Sequence, residues 1–169
     1  MMIHVCSLAR LADTVERTGA RHVVTLLGDE DPILRPDGIA AADHLWLRMH
    51  DIAEPADGFI APCTDHVRQL IDFVHRWDRR TPVVMHCWAG ISRSTAAAFV
   101  SVCALAPERD EIAVAQALRL ASATACPNVR IVALADEMLG RRGRMIEAVA
   151  AIGCGAEAAE GIPFRLDLA

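Results

Sequence analysis

The sequence predicts an α/β fold: a single domain with a mainly parallel central sheet of four to five strands flanked by helices. Three observations carry this expectation. Short β-rich runs alternate with longer amphipathic ones, the pattern of strands joined by helical crossovers. With 53% hydrophobic and 23% charged residues the composition is that of a globular chain. At roughly 100–200 residues per domain, 169 residues leave room for one domain and a short tail. We place the domain at 1–150; residues 151–169 read as a Gly- and Ala-rich C-terminal tail of unknown role.

The elements follow in order. Ile3 to Ser7 reads as a strand, Leu8 to Thr18 as a helix capped by Gly19, and His22 to Leu27 as a second strand. A loop rich in Pro, Gly and Asp runs from Gly28 to Gly38, followed by a short helix and the strand-like segment His44 to Met49. A second Pro/Gly-rich loop, Asp51 to Pro62, opens with an acid. From Thr64 to Trp77, Val67, Leu70, Ile71, Val74 and Trp77 recur at three-and-four spacing, as in a helix that covers a sheet. The compact apolar run Val83-Val84-Met85 is a strand. It leads through a tight loop, His86 to Ser94, into a buried helix over Thr95 to Leu105. Helices over Arg109–Ala123 and Val129–Leu139 follow, the second with Asn128 as N-cap.

Charge and composition exclude several functions. All 17 basic residues are Arg, against 22 acidic ones, for a net charge of -5, so no basic surface for nucleic acid or anionic lipid is expected. An anionic ligand therefore needs a local pocket. The longest apolar run, Thr95 to Pro107, falls short of the ~20 residues that span a bilayer, which predicts a soluble, cytoplasmic chain. Six scattered cysteines contain no Cys-x-x-Cys pair, and a domain this size does not depend on disulfides. Cys6, Cys103 and Cys126 are expected to be inert core thiols. The histidines at 4, 22, 44, 50, 66 and 75 form no metal-ligand pattern, so no metal site is predicted. Arg141, Arg142 and Arg144 follow a helix C-terminus, where cations are favourable in any case.

In an open parallel sheet, ligands sit beyond the strand C-termini. Asp51 and Cys87 each fall directly after a predicted strand, so they can converge on one face. A loop between a strand and a helix start directs unpaired backbone N–H groups at a common centre, and the helix dipole favours negative charge there. Gly90 permits the crowded conformation such a loop demands. Arg93 can offer two parallel donors to two oxygens of a tetrahedral dianion, a geometry that Lys cannot supply. The same field favours the thiolate of Cys87 over the thiol.

On these residues the chain resembles a known family. His86-Cys87, five residues, and Arg93-Ser94 match the His-Cys-x5-Arg-Ser/Thr signature of the cysteine-based protein tyrosine phosphatases. The run Trp88-Ala89-Gly90-Ile91-Ser92-Arg93-Ser94 is most similar to the dual-specificity branch. The N-terminal strand, the Gly19 to Val24 lead-in to the second strand, Asp51 and Pro127-Asn128 also fall where that family has similar features. The resemblance spans roughly residues 3 to 140. It implies a dual-specificity-phosphatase-like fold and two-step phosphomonoester hydrolysis without a metal or other cofactor. In that scheme Cys87 is the nucleophile, and Arg93 with the N–H groups from Trp88, Ala89, Gly90, Ile91, Ser92 and Arg93 holds the phosphate oxygens. Ser94 assists expulsion of the sulfur, and His86 holds the loop through hydrogen bonds without transferring protons.

The resemblance also requires an upstream acid, which serves later as the base. Asp51, Asp57 and Asp65 are the candidates. Asp51 is preferred because it directly follows a strand, Asp57 is the alternative, and Asp65 is explained by the helix beginning beside it. The partner implied is a phosphorylated protein or a small phosphomonoester. Competing readings are a non-catalytic phosphate-binding module, whose expected signature is loss of the Cys, Arg or acid, and a phosphatase of a small-molecule, nucleotide or inositol phosphate. The loop contains no Lys, which weakens the inositide reading, and the chain has no Tyr to build a deep phosphotyrosine slot. Trp88 is open to two placements, core or pocket wall.

Overall fold

A computed structural model describes residues 2–29 and 34–168. Residues 30–33, inside the loop expected from Gly28 to Gly38, lie outside the described residues. Among the described residues five strands form one sheet in the order β3-β2-β4-β1-β5: β1 (Met2–Ser7), β2 (His22–Leu27), β3 (His44–Arg48), β4 (Val83–Cys87) and β5 (Phe164–Asp167). The β3–β2, β2–β4 and β4–β1 pairs are parallel and β1–β5 is antiparallel, so the expected sheet is present. All five residues of β4 are buried, as befits a central strand covered on both faces and read from an unbroken apolar run.

Among the described residues six α-helices flank the sheet: α1 (Leu11–Thr18), α2 (Thr64–Arg76), α3 (Arg93–Leu105), α4 (Glu111–Ala121), α5 (Val129–Met138) and α6 (Arg144–Ile152). Gly19 ends α1 in the left-handed region at φ 65°, as its position predicted. The α1 side of the sheet holds a small core of Cys6, Leu11, Val15, Ala20, Val23, Ile39 and Val84. The opposite face holds the main core, with Val24, Leu47, Met85 and Cys87 packed under α2 and α3. Helix α3 is buried from Arg93 to Ala104, and the fully buried Phe99 ring alone contributes about 1.5–3 kcal/mol of hydrophobic stabilisation.

Three features differ from the sequence reading. The segment left as a tail after residue 150 carries the end of α6 and the strand β5, which pairs Met2–Val5 with Phe164–Asp167 and completes the sheet. Cys126 is not a free core thiol, because it forms a disulfide with Cys154. Cys6 and Cys103 remain buried thiols, each pushed up to about 12, with burial as the main cause. Finally, Arg141 does more than follow a helix end. It is buried and donates to Glu111 Oε1 at 3.0 Å, to the Cys103 carbonyl and to the Pro107 carbonyl, while Arg144 grips the same carboxylate from outside. Burial pushes the Glu111 carboxyl up, but the hydrogen bond from Arg144 and the charges of both arginines outweigh it and hold the group below its ordinary value.

The register fixes where chemistry can occur. Ser7 pairs with Cys87, and Leu27 with Arg48, so the C-terminal ends of β1, β2, β3 and β4 share one edge. The loops after β3 and β4 both open there.

Candidate active site

Residues 86–94 run from the end of β4 through the connecting loop into the first turn of α3, and four backbone donors from three other segments of the chain shape this stretch. The Trp88 carbonyl accepts from Leu8 N at 3.2 Å, Ala89 from Gly161 N at 2.8 Å, Ile91 from Cys126 N at 3.0 Å and Ser92 from Asn128 N at 3.3 Å. With these carbonyls turned outward to external donors, the loop's own N–H groups are left to face inward, the arrangement that binds anions. Gly90 lies at φ 73°, and a Cβ there would come within 2.7 Å of the Cys6 carbonyl carbon and 2.8 Å of Ser7 N. Both the backbone conformation and the close approach require glycine.

Cys87 is 1% exposed and lies at the base of this loop, its Sγ 3.1 Å from Ser94 Oγ. Arg93, in the first turn of α3, is also buried. One terminal nitrogen donates to the Met49 carbonyl at 2.8 Å, which fixes the guanidinium, while Nε has no hydrogen-bond partner among the described residues. The nearest carboxylate oxygen, Asp51 Oδ2, is 3.9 Å from Nε, beyond hydrogen-bond reach. A buried guanidinium N–H without an acceptor is a donor that an anion can satisfy.

Asp51 stands at the rim with its side chain 38% exposed. Ser92 Oγ donates to Oδ1 at 2.7 Å and Asn128 Nδ2 donates to the same oxygen at 2.8 Å, so Oδ1 is anchored and Oδ2 points the free end of the carboxylate past Arg93. Asn128 has a double role, since its Oδ1 caps α5 by accepting from Arg130 N and Ile131 N. The other acid candidates lie apart from this cluster: Asp57 is exposed in the turn before Gly58, and Asp65 pairs with Arg68 in the first turn of α2.

His86 faces the α1 side of the sheet rather than the loop. Its Nε2 shares a 2.7 Å hydrogen bond with Thr25 Oγ1, which lies 2.8 Å from His44 Nε2. Burial, then the neighbouring His44 and Arg93, pushes the His86 imidazole down to about 3, so it is neutral at ordinary pH. Trp88 settles as an exposed side chain, 60% accessible, on the wall of a cleft with Leu8, Ala9, Ala159 and Glu160. Ala89, Ile91 and Ser92 form the rest of the loop. Sequence reasoning missed the donors that shape it, Leu8 N, Gly161 N and Cys126 N. Backbone groups carry no side-chain signal, so no motif marks them. Among the described residues no group of three or more His, Cys, Asp or Glu comes together as a metal site, and no helix is long and apolar enough to cross a membrane.

The fold, the inward-facing loop and the buried Cys-Arg pair define a cysteine-dependent phosphatase architecture. The profile of the protein-tyrosine phosphatase family matches residues 52–147, more than half of the sequence, and the chain belongs to that family of hydrolases. Comparison with curated proteins gives no significant match. Among solved structures, DUSP15 superposes with a TM-score of 0.63 at 20% identity, covering 89% of each chain. PTP-2 of Cydia pomonella gives 0.63 at 22% identity, over 80% of this chain and 84% of its own. Human DUSP28 gives 0.61 at 17% identity, over 88% and 94%. At these identities the likeness establishes a dual-specificity-phosphatase-like fold.

Proposed function

We propose that the chain hydrolyses phosphomonoesters, as a protein tyrosine or dual-specificity phosphatase, through a cysteinyl-phosphate intermediate. The observation that carries this reading is the buried Arg93 guanidinium, anchored at one nitrogen and without a hydrogen bond at Nε, on the same loop as Cys87. Asp51 Oδ2, 3.9 Å away, offers that nitrogen charge but no hydrogen bond, and a phosphate dianion in the loop would supply both.

In the first step the Cys87 thiolate forms an S–P bond as the P–O bond to the leaving group breaks, and Asp51 gives its proton to the departing oxygen. Oδ1 is held by Ser92 and Asn128, so Oδ2 is the oxygen suited to carry that proton. In the second step water attacks phosphorus, its proton passes to Asp51, and the S–P bond breaks with the electron pair returning to sulfur. Ser94 Oγ, 3.1 Å away, donates a hydrogen bond to the departing sulfur. Arg93 and the loop N–H groups hold the equatorial oxygens as charge builds on them. A module that merely docks phosphate needs neither a hydroxyl on the sulfur nor a carboxylate held at the rim, and both are present.

The substrate class we favour is a phosphorylated protein or a small aryl-type phosphomonoester. The loop supplies one cationic side chain, Arg93, and no Lys, which argues against a polyanionic inositide. The test is release of a phenol from an aryl phosphate in the presence of a metal chelator. Wild-type protein turns over, Cys87→Ser gives no turnover but still binds orthophosphate, and Arg93→Ala loses both. Wild-type rates from Cys87→Ser would rule the mechanism out.

A further inference from the structure

The loop from Asp51 to Pro62 contains no helix or strand, and its residues from Ala53 to Ile60 are exposed. Such a segment cannot hold a carboxylate in place through burial. Part of its order is internal: His50 N donates to the Ile60 carbonyl and Ile60 N donates to His50 Nδ1, both at 2.8 Å. The remaining anchors come from the start of α5. Asn128 reaches Asp51 itself and the Ile52 carbonyl. Arg130, two residues on, donates from Nε to the Pro62 carbonyl at 2.6 Å and from a terminal nitrogen to the Ala53 carbonyl at 3.2 Å. One guanidinium therefore ties the outgoing limb of the loop to its returning limb.

The placement of this cation needs a reason. Arg130 lies in the first turn of α5, where the helix dipole disfavours positive charge. Two loop carbonyls turned toward it offset that penalty, and only a planar fork serves two acceptors in fixed directions. The backbone just before it, Cys126 N and Asn128 N, is bonded to the Ile91 and Ser92 carbonyls of the phosphate loop. The same short stretch thus touches the nucleophile's loop through its backbone and the acid's loop through its side chains.

We propose that Arg130 is a positioning residue for proton transfer: it fixes the loop that carries Asp51 at the height over Cys87 that a leaving oxygen requires. This rests on the reading of Asp51 as the acid, and it adds a residue that touches no reacting atom.

The experiment compares kcat for p-nitrophenyl phosphate, whose leaving group needs little protonation, with kcat for phenyl phosphate, whose leaving group needs it. Orthophosphate inhibition is measured alongside. Arg130→Ala is expected to lose roughly 10–100-fold on phenyl phosphate, a share of the 10²–10⁴ that a general acid contributes, and much less on the activated ester. Its orthophosphate inhibition constant should stay within about twofold of wild type, because all four backbone donors that brace the phosphate loop are untouched. Arg130→Lys should fall between the two. Asp51→Asn is the control. If it shows no leaving-group dependence while still binding phosphate, the acid reading and this inference both fall. If it does show the dependence but Arg130→Ala slows both esters equally, weakens phosphate in step, or matches wild type, only the Arg130 inference is overturned. Should Arg130→Ala not fold, Arg130→Gln, which keeps the stem and loses the fork, is put through the same comparison with the same criteria.

Discussion

The loop at residues 88–92, which we propose cradles phosphate, and the loop at residues 51–62, which we propose carries the acid, are both irregular and meet at one site, yet they are held by opposite means. In the first, backbone carbonyls are bonded to four backbone donors from three distant segments, and the flanking side chains of Cys87, Arg93 and Ser94 are buried. In the second, the backbone is exposed and depends on the side chains of Asn128, Arg130 and His50. A binding cradle has to be rigid before the ligand arrives, since preorganised donors stabilise a transition state without reorganising. An acid has only to present one oxygen, and a few side-chain anchors suffice. Substitutions in the two loops should therefore differ in kind. Damage to the cradle removes binding and turnover together, whereas damage to the acid loop removes proton transfer first.

The largest effect expected is from Gly90→Ala. The added Cβ meets the Cys6 and Ser7 backbone, which cannot swing aside as a side chain could, and the left-handed conformation costs a further 1–2 kcal/mol or so. We expect kcat/KM for an aryl phosphate to drop by roughly 10²-fold or more, with weaker orthophosphate inhibition and a lower Tm. Near-normal phosphate binding in this variant would erase the contrast between the loops. An intermediate effect is expected from Asn128→Ala, which removes one of two hydrogen bonds to Asp51 Oδ1 and the cap of α5. Ser92 still holds the carboxylate, so kcat should fall about tenfold, equivalent to about 1.4 kcal/mol, and thermal denaturation should report a further cap loss of about 0.5–2 kcal/mol.

The broadest effect, spread over the whole molecule rather than either loop, is on stability against pH. Folded His86 takes up a proton only at about 3, whereas the unfolded chain does so near 6.5. Unfolding between those values binds protons, so stability is full above about 6.5 and declines as pH falls toward 3. Urea midpoints measured from pH 7 to pH 4 should decrease, and His86→Gln should flatten the decrease. His4, His44 and His66 are lowered in the same direction and leave a residual slope. An unchanged slope in His86→Gln would mean that the ring is not buried neutral.

Much of this was legible in the residues. Val83 to Met85 announces a buried strand, and the glycine and arginine that follow Cys87 announce an anion loop, because local geometry dictates those residue types. Asn128 could be read as a cap from its place before an apolar helix, and its second bond, to Asp51, needed the tertiary fold. Helix α6 was harder to see, since its buried face is Met145, Ala148 and Val149, and alanine gives little hydrophobic contrast. Strand β5 did carry a signal: Phe164 and Leu166 point inward between exposed Arg165 and Asp167. Its four residues follow a Gly- and Ala-rich stretch, which masks so short an alternation. The Cys126–Cys154 pair has a separation of 28 with no short motif, so proximity in space is its only mark.

The outward carbonyls of residues 88, 89, 91 and 92 bear on protein engineering. Transplanted onto a foreign scaffold, the nine-residue signature would arrive without the donors at Leu8, Gly161, Cys126 and Asn128, and nothing would oblige its amides to converge. The portable unit is the signature together with the surrounding segments that pull its carbonyls outward.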